Sequence, residues 1–542
     1  MSLSLKKHPK FHGRKGPLLL IIMDGVGLGR MDESNAVYLA KTPILDRLLE
    51  TPLYTQLKTN GSSVGLPNDY DMGNSEVGHN ALGAGRIFDQ GAKLVNQSIA
   101  SKEIFKTKIW KKVIQQTQMD KTLHLIGLLS NGNVHSHIDH LFALINQAAV
   151  EEVKNLRVHI LLDGRDVGER SALSFLEPTE KLLKKISHEK GFDYQIASGG
   201  GRMVVTMDRY QADWNIVKKG WDAHVHGIGR PFSSAFKAVA TYYQENDQVN
   251  DQYLDSFVVV DKEGQPVGKI QDEDAVIFFN FRGDRAIEIS QAFEDDSFCH
   301  FDRGKRPKVF FCGMLLYDGD LQIPKNYLVD PPFIDRTISE YLCAENITSF
   351  AISETQKYGH VTYFWNGNRS GYIDQNLETY VEIPSDKIPF DQAPQMKALE
   401  ITEKTIELLN QKSFRFGRIN FPNGDMIGHT GNMKATIEAV EIVDQSIGRL
   451  LKEVEKLKGI LIVTSDHGNA DEMFVIKNGK KLNKTSHTLN LVPFAILDFE
   501  FKEEYKMASL NNPGLFNVAA TILNLLGFEK PRDYDPSLIE FK

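Results

Sequence analysis

Three aspartates and three histidines stand where apolar or glycine-bearing runs give way to turns. Asp24 closes LLLIIMDG, Asp425 and His429 lie in DMIGHTGN, Asp466 and His467 are adjacent in TSDHGNADE, and His487 lies in KTSHT. Hard divalent ions take carboxylate and imidazole ligands, and two-metal phosphoryl transfer needs several of them within a few ångströms. Taken singly, each residue has an ordinary explanation, because an aspartate after a strand is commonly a helix N-cap or a turn former. The four-residue spacing of Asp425 and His429 suits one face of a helix, where a solvated pair is the ordinary outcome. Six such residues in strand-end or turn contexts exceed what chance supplies.

The segment DMGNSEVGHNALGAGR, 71–86, adds a nucleophile: Ser75, set between Asn74 and Glu76 in a glycine-flanked turn that could expose its hydroxyl. Glycine lets backbone approach a phosphate closely. A serine hydroxyl attacks poorly at neutral pH without a base or a metal, and no Ser-His-Asp elbow is evident, so a metal would have to activate it. The alternative is a glycine-rich turn with an incidental serine. The middle of the chain supplies a different chemistry: His135 in SNGNVHSH, Arg165 and Asp166, Arg202 and Arg209 in GGGRMVVTMDR, Arg282 and Arg285 in FRGDR, then Lys357 in SETQKYGH. Guanidinium forks match phosphate and carboxylate oxygens in pairs, so converging arginines would let a chain of formal net charge -8 hold a small anion. Each arginine alone is more often a solvated face or a surface ion pair.

MDGVG at 23–27, GNSEVGH at 73–79, DGRD at 163–166 and SDHGNAD at 465–471 resemble, in order and spacing, the signatures of the cofactor-independent (2,3-bisphosphoglycerate-independent) phosphoglycerate mutases of the alkaline phosphatase superfamily. The resemblance runs from about residue 18 to about residue 530. It implies two manganese ions, with cobalt, zinc or magnesium as substitutes and no bisphosphoglycerate. Asp425, His429 and His487 would hold one ion; Asp24, Ser75, Asp466 and His467 would hold the other, with Ser75 also the nucleophile. His135, Arg165, Asp166, Arg202, Arg209, Arg282, Arg285 and Lys357 would bind substrate, and Asp166 would carry protons to and from the glycerate hydroxyls. The chain departs from the family pattern in three places. KNGKKLNK lengthens the stretch between His467 and His487, Gln356 precedes Lys357 where an acidic residue is usual, and GERS follows DGRDV in place of a proline-bearing form.

These residues need elements to hold them. Runs at 18–25, 158–166, 274–284 and 459–468 look like buried parallel strands, and Ile437, Val440, Ile447, Leu451 and Val454 fall at helical spacing over 433–457. Strands alternating with amphipathic helices indicate an α/β protein whose ligands gather beyond the carboxyl ends of the strands. At 542 residues the chain exceeds the roughly 250–300 residues at which one core stops growing, so two domains are expected. Metal-ligand candidates come from both ends and anion clamps mostly from the middle. This predicts an alkaline-phosphatase-like metal domain, 1–88 and 332–542, interrupted by an inserted α/β substrate-binding domain, 89–331.

Hydrophobic residues at 41% and charged residues at 25% are ordinary for a globular protein, and no apolar run approaches the ~20 residues of a spanning helix. The net negative charge disfavours nucleic acid and anionic membrane surfaces as partners. Three cysteines without ligand spacing suit a reducing compartment, so a cytoplasmic location is expected; a monomer is expected as well. Residues 1–16 are basic without an apolar stretch; they read as a frayed tail and not as a secretory signal. The expected activity is interconversion of 3- and 2-phosphoglycerate, in glycolysis and gluconeogenesis, by way of a phosphoserine. A metal phosphatase or a phosphopentomutase-like enzyme would share the ligands without needing the arginines, and an inert metal- or phosphate-binding protein would not need Ser75.

Overall fold

A computed structural model describes residues 3–66, 69–118, 120–208, 213–318, 321–386, 388–411, 414–477, 480–484 and 487–542. The chain forms two compact units, Met1–Gln90 with Pro332–Lys542, and Gly91–Pro331. Each is built on a seven-stranded sheet flanked by helices.

The first unit's sheet runs Glu378–Ile383, Ser349–Glu354, Phe416–Phe421, Leu18–Met23, Ile460–Thr464, Val492–Asp498, Tyr54–Leu57. The first five strands are parallel, Val492–Asp498 runs antiparallel to them, and Tyr54–Leu57 is antiparallel to Val492–Asp498. Leu18–Met23 is central and all six of its residues are buried. Leu19, Ile21 and Met23 enter one core and Leu18, Leu20 and Ile22 the other, so both faces are covered and the sequence reads as an unbroken apolar run. Full burial of each such side chain contributes about 1.5–3 kcal/mol. The expected helix spans Met433–Lys456; Asn432 caps it, and Val443, Ile447, Leu450 and Val454 pack on the Leu19 face.

Register sets up the chemistry. Met23 lies beside Phe421 and Ile22 beside Thr464, so three adjacent parallel strands end level with one another. Asp24, Asp425 and Asp466 follow within four residues of those ends, and Lys357 follows the Ser349–Glu354 strand next in the sheet.

From residue 3 onward the N-terminal segment is not frayed. Phe11 is buried against Tyr505 and Phe541, and Arg14 pairs with Asp498 at 2.7 Å and Glu504 at 2.9 Å. A basic stretch holding one aromatic gives no periodic signal; its partners lie about 490 residues away in the chain.

The second unit's sheet runs Arg230–Phe232, Phe257–Val259, Asp193–Gly201, Asn155–Leu162, Thr122–Leu129, Ala275–Phe278, Phe310–Gly313. Its central pairs are parallel, and Asp193–Gly201 meets Phe257–Val259 antiparallel. Among the buried histidines here, His124 and His159 lie within strands and His224 in the single π-helical turn Asp222–His226.

Burial pushes all three below the ordinary histidine range, His224 to about 3. A depressed folded-state pKa leaves stability whole above the unfolded value of about 6.5. It is lost as pH falls, at up to about 1.4 kcal/mol per pH unit per histidine, because only the unfolded chain takes up the proton. Trp110, Trp214 and Trp221, three of four tryptophans, lie in this unit. The urea midpoint of tryptophan fluorescence should therefore drop between pH 7 and pH 5, less steeply in His159→Gln; a midpoint that is flat or rises would contradict this.

Candidate active site

Asp24 leaves its strand through a glycine turn stitched to both neighbours. Its backbone N–H donates to the Phe421 carbonyl at 3.0 Å, and Asn469 and Ala470 N–H groups donate to the Gly25 carbonyl at 2.9 Å. Gly25 has φ +77°, and a Cβ there would lie 2.5 Å from the Asp425 nitrogen, so the two loops close only around glycine. Asp425 lies in the first turn of a short helix, Asn423–Gly428, that brings His429 Nε2 to 3.1 Å of its carboxylate, the one-face arrangement that their spacing suggests. Ser465 reaches back to the Met23 carbonyl at 2.5 Å and fixes the turn bearing Asp466 and His467.

Ser75 does not lie in an exposed turn. It is the first residue of the helix Ser75–Ala84, capped by Asn74, whose side chain accepts from the Val77 N–H at 3.0 Å. Helix formation was hidden by the glycines around it; the consequence is that the buried hydroxyl sits in the field of a helix N-terminus, which favours anionic oxygen. The Ser75 Oγ is 2.9 Å from His467 Nε2 and 3.2 Å from Asp24 Oδ1, and it accepts a hydrogen bond from Lys357 Nζ. The same ammonium is 2.9 Å from Asp425 Oδ2 and 3.2 Å from Asp24 Oδ1. Lys357, which the resemblance groups with the anion clamps, thus belongs to the carboxylate cluster.

The ligand atoms of Asp24, Asp466 and His467 lie within 4.8 Å of one another, as do those of Asp425, His467 and His487. His487 Nε2 is 3.2 Å from both Asp425 Oδ1 and His429 Nε2. His487 Nδ1 donates to the Gly73 carbonyl at 2.8 Å, which turns the Nε2 lone pair toward the carboxylates. Burial, with His467, pushes His487 down to about 4, so that lone pair is available at neutral pH.

Three buried carboxylates face one ammonium. Burial raises Asp466 well above the ordinary range, reinforced by Asp24. Burial also works to raise Asp425 and Asp24, yet His429 and Lys357 hold Asp425 well below its usual range, and Lys357 holds Asp24 down. Buried anionic oxygens and imidazole lone pairs in excess of the cations among them fit divalent metal ions. Three further residues support these ligands. Asn420 donates to Asp24 at 2.8 Å, Asn469 donates to Asp425 at 2.9 Å, and His79 bonds the Ser75 carbonyl at 2.8 Å. Asn420 lies outside every quoted motif, whereas His79 and Asn469 fall inside GNSEVGH and SDHGNAD.

In the second unit, Asp163 organises the DGRD turn. Its carboxylate accepts from the Asp166 N–H at 3.0 Å, the Arg165 N–H at 3.2 Å and Ser130 Oγ at 2.5 Å. Arg202 is buried and paired with Asp163 at 2.8 Å and with Asp166. His135 is 3.4 Å from Asp284, which also pairs with Arg282 at 3.3 Å, and Arg285 donates to the Met207 carbonyl at 2.5 Å. Burial holds His135 well below the ordinary range, and the charges of Arg202, Arg282 and Arg285 add to that. Arg209 lies outside the described residues. Asp163 and Asp284, which bracket these cations, were not among the expected residues although they sit inside DGRD and FRGDR.

The Metalloenzyme superfamily profile matches residues 16–530. A probable 2,3-bisphosphoglycerate-independent phosphoglycerate mutase of Leptospira interrogans is 55% identical over 99% of this chain and 100% of its own length. The Trypanosoma brucei brucei mutase is 49% identical over the whole of both chains. The chain belongs to the 2,3-bisphosphoglycerate-independent phosphoglycerate mutase family. It is an enzyme of that family, and its two α/β units match a crystal structure of the Leishmania mexicana phosphoglycerate mutase, at low cobalt concentration, with a TM-score of 0.74 and 48% identity over 99% of this chain and 100% of that one.

Within this enzyme Lys357 holds Asp24 down and acts beside His429 on Asp425, and removing one partner of a buried ion pair costs about 3–5 kcal/mol. Lys357→Met should lower the unfolding free energy by about that amount in chelator, with part recovered on adding a divalent cation. Unchanged stability under both conditions would show that the carboxylates do not depend on the lysine.

Proposed function

We propose that this enzyme interconverts 3-phosphoglycerate and 2-phosphoglycerate, in glycolysis and gluconeogenesis, through a phosphoserine at Ser75 and without bisphosphoglycerate. The observation that carries the reading is the Ser75 hydroxyl, first in a helix, bonded by Lys357 and facing His467 and Asp24. The Ser75 oxygen forms the new P–O bond as the bond to the glycerate oxygen breaks; the second half-reaction returns the phosphoryl group to the other hydroxyl.

Lys357 and the first N–H groups of the Ser75–Ala84 helix stabilise negative charge on the serine oxygen and on the phosphoryl group. Asp166, hydrogen-bonded through its backbone to Asp163 and ion-paired with Arg202, exchanges protons with the 2- and 3-hydroxyls. His135, Arg165, Arg202, Arg209, Arg282 and Arg285 bind the carboxylate and phosphate. Asp24, Ser75, Asp466 and His467 would hold one divalent ion, and Asp425, His429 and His487 the other. Bound manganese, or cobalt, zinc or magnesium in its place, lowers the pKa of the serine hydroxyl and neutralises charge on the phosphoryl oxygens. In this reading the residues 1–88 and 332–542 form the phosphoryl-transfer domain and 89–331 the substrate domain. The substrate is a small molecule, and the enzyme acts as a cytoplasmic monomer. Among the described residues no helix is long and apolar enough to cross a membrane.

A coupled assay should show turnover of 3-phosphoglycerate that is independent of added bisphosphoglycerate, is abolished by chelation and is restored by manganese. Ser75→Ala should lose about 10³-fold or more in kcat while remaining folded. Full activity after verified metal removal, or an active Ser75→Ala variant, would overturn the reading.

A further inference from the structure

Three buried histidines of the second unit, His124, His159 and His224, belong to one hydrogen-bonded chain. His124 Nε2 meets Asp274 at 3.2 Å, and His124 Nδ1 meets His159 Nε2 at 2.9 Å. His159 Nδ1 meets Ser198 Oγ at 2.7 Å; that oxygen meets His224 Nδ1 at 2.7 Å, and His224 Nε2 meets Thr206 Oγ1 at 2.9 Å. A bulge between Val158 and His159 skips Ala197 and sets Ser198 beside His159.

The direction of every proton follows from one end. The Asp274 carboxylate only accepts, so His124 Nε2 donates to it. Burial keeps the histidines neutral, so each has one donor and one acceptor nitrogen. His124 Nδ1 therefore accepts from His159 Nε2, and His159 Nδ1 accepts from the single Ser198 proton. His224 Nδ1 must then donate to Ser198 Oγ, which leaves His224 Nε2 to accept from Thr206. The chain is fully satisfied in one polarity, from the Thr206 hydroxyl to the Asp274 carboxylate.

Thr206 is where this order is used. It is buried with φ +70°, a left-handed conformation that is strained for a β-branched residue. Its backbone N–H donates to the Ile216 carbonyl at 2.8 Å, and Gly220 makes room for the side chain, since a Cβ there would lie 1.9 Å from Thr206 Oγ1. The next residue is Met207, whose carbonyl accepts from Arg285 Nη1 at 2.5 Å.

We infer that the chain from Asp274 to Thr206 is a positioning device: it holds Thr206 in its strained conformation and so fixes the Met207 carbonyl that aims Arg285 at the anionic substrate. Thr206, Ser198 and His224 are positioning residues that act through Arg285. This rests on the proposed role of Arg285 in binding phosphoglycerate.

The test is steady-state kinetics on 3-phosphoglycerate. Thr206→Val keeps the shape and removes the donor. It should raise KM about tenfold, the worth of one hydrogen bond, with kcat within about twofold. Thr206→Ser restores the donor and should recover most of the KM. Ser198→Ala opens the chain two links away in a strand, with little change of volume, and should shift KM in the same direction; it reads the proposal should Thr206→Val fail to fold. Because Thr206 acts through Arg285, Thr206→Val combined with Arg285→Ala should be no worse than Arg285→Ala alone. Wild-type KM in Ser198→Ala and in folded Thr206→Val, or effects that multiply with Arg285→Ala, would overturn the inference while the wild-type enzyme stays active. Wild-type protein with no turnover of phosphoglycerate would instead overturn the proposed substrate and, with it, the ligand that Arg285 is aimed at.

Discussion

Three carboxylates buried side by side, with one ammonium among them, are what the first unit is built to hold. Isolated burial of any one would drive it to take up a proton, and Asp466, raised well above its usual range, shows that pressure. The arrangement is held by a rigid frame. Adjacent parallel strands end level, their loops share hydrogen bonds at Gly25, Ser465 and Asn469, and Lys357 arrives from the next strand to pair with Asp24 and Asp425. Ser75 is added to this frame from outside the sheet, by a helix whose N-terminus faces the same carboxylates. Its position makes sense only with the cluster in place, since Lys357 serves both.

The second unit solves the opposite problem with the same means. Its cations are kept from scattering by Asp163, which accepts from several partners, and by Asp284, which lies 3.4 Å from His135 and 3.3 Å from Arg282. One unit therefore presents concentrated negative charge, suited to cations, and the other presents ordered guanidinium groups, suited to anions. A formal net charge of -8 conceals both, because the division is local. The histidine chain extends this order into the interior of the second sheet, where an isolated imidazole would be costly and a directed series is not.

Much of this was legible in the residues. Unbroken apolar runs such as LLLIIM identify strands covered on both faces, and the aspartate one step beyond such a run lies where a parallel sheet gathers ligands. The spacing of Asp425 and His429 gave their shared face, and the period of 433–457 gave the long helix almost to its last residue. Other features had no local signal. GNSEVGH reads as a turn because its glycines depress helix propensity, yet packing against the cluster makes Ser75 the start of a helix. Asn420 looks like any strand polar residue until the register places it beside Asp24, and Asn469, though inside SDHGNAD, shows its partner Asp425 only once the loops meet. The histidine within VHILL, His159, gives no hint that a bulge supplies its serine partner. Long-range pairing decides each of these, and one sequence does not display it.

The central claim is that the Ser75 oxygen receives the phosphoryl group. Acid quenching of the manganese-loaded enzyme during turnover of 3-phosphoglycerate, followed by peptide mass spectrometry, tests it directly. The account predicts phosphate on the peptide containing GNSEVGH, localised to Ser75 and absent from Ser75→Ala. Phosphate found repeatedly on another residue, or a turning-over enzyme that never carries phosphate, would contradict it.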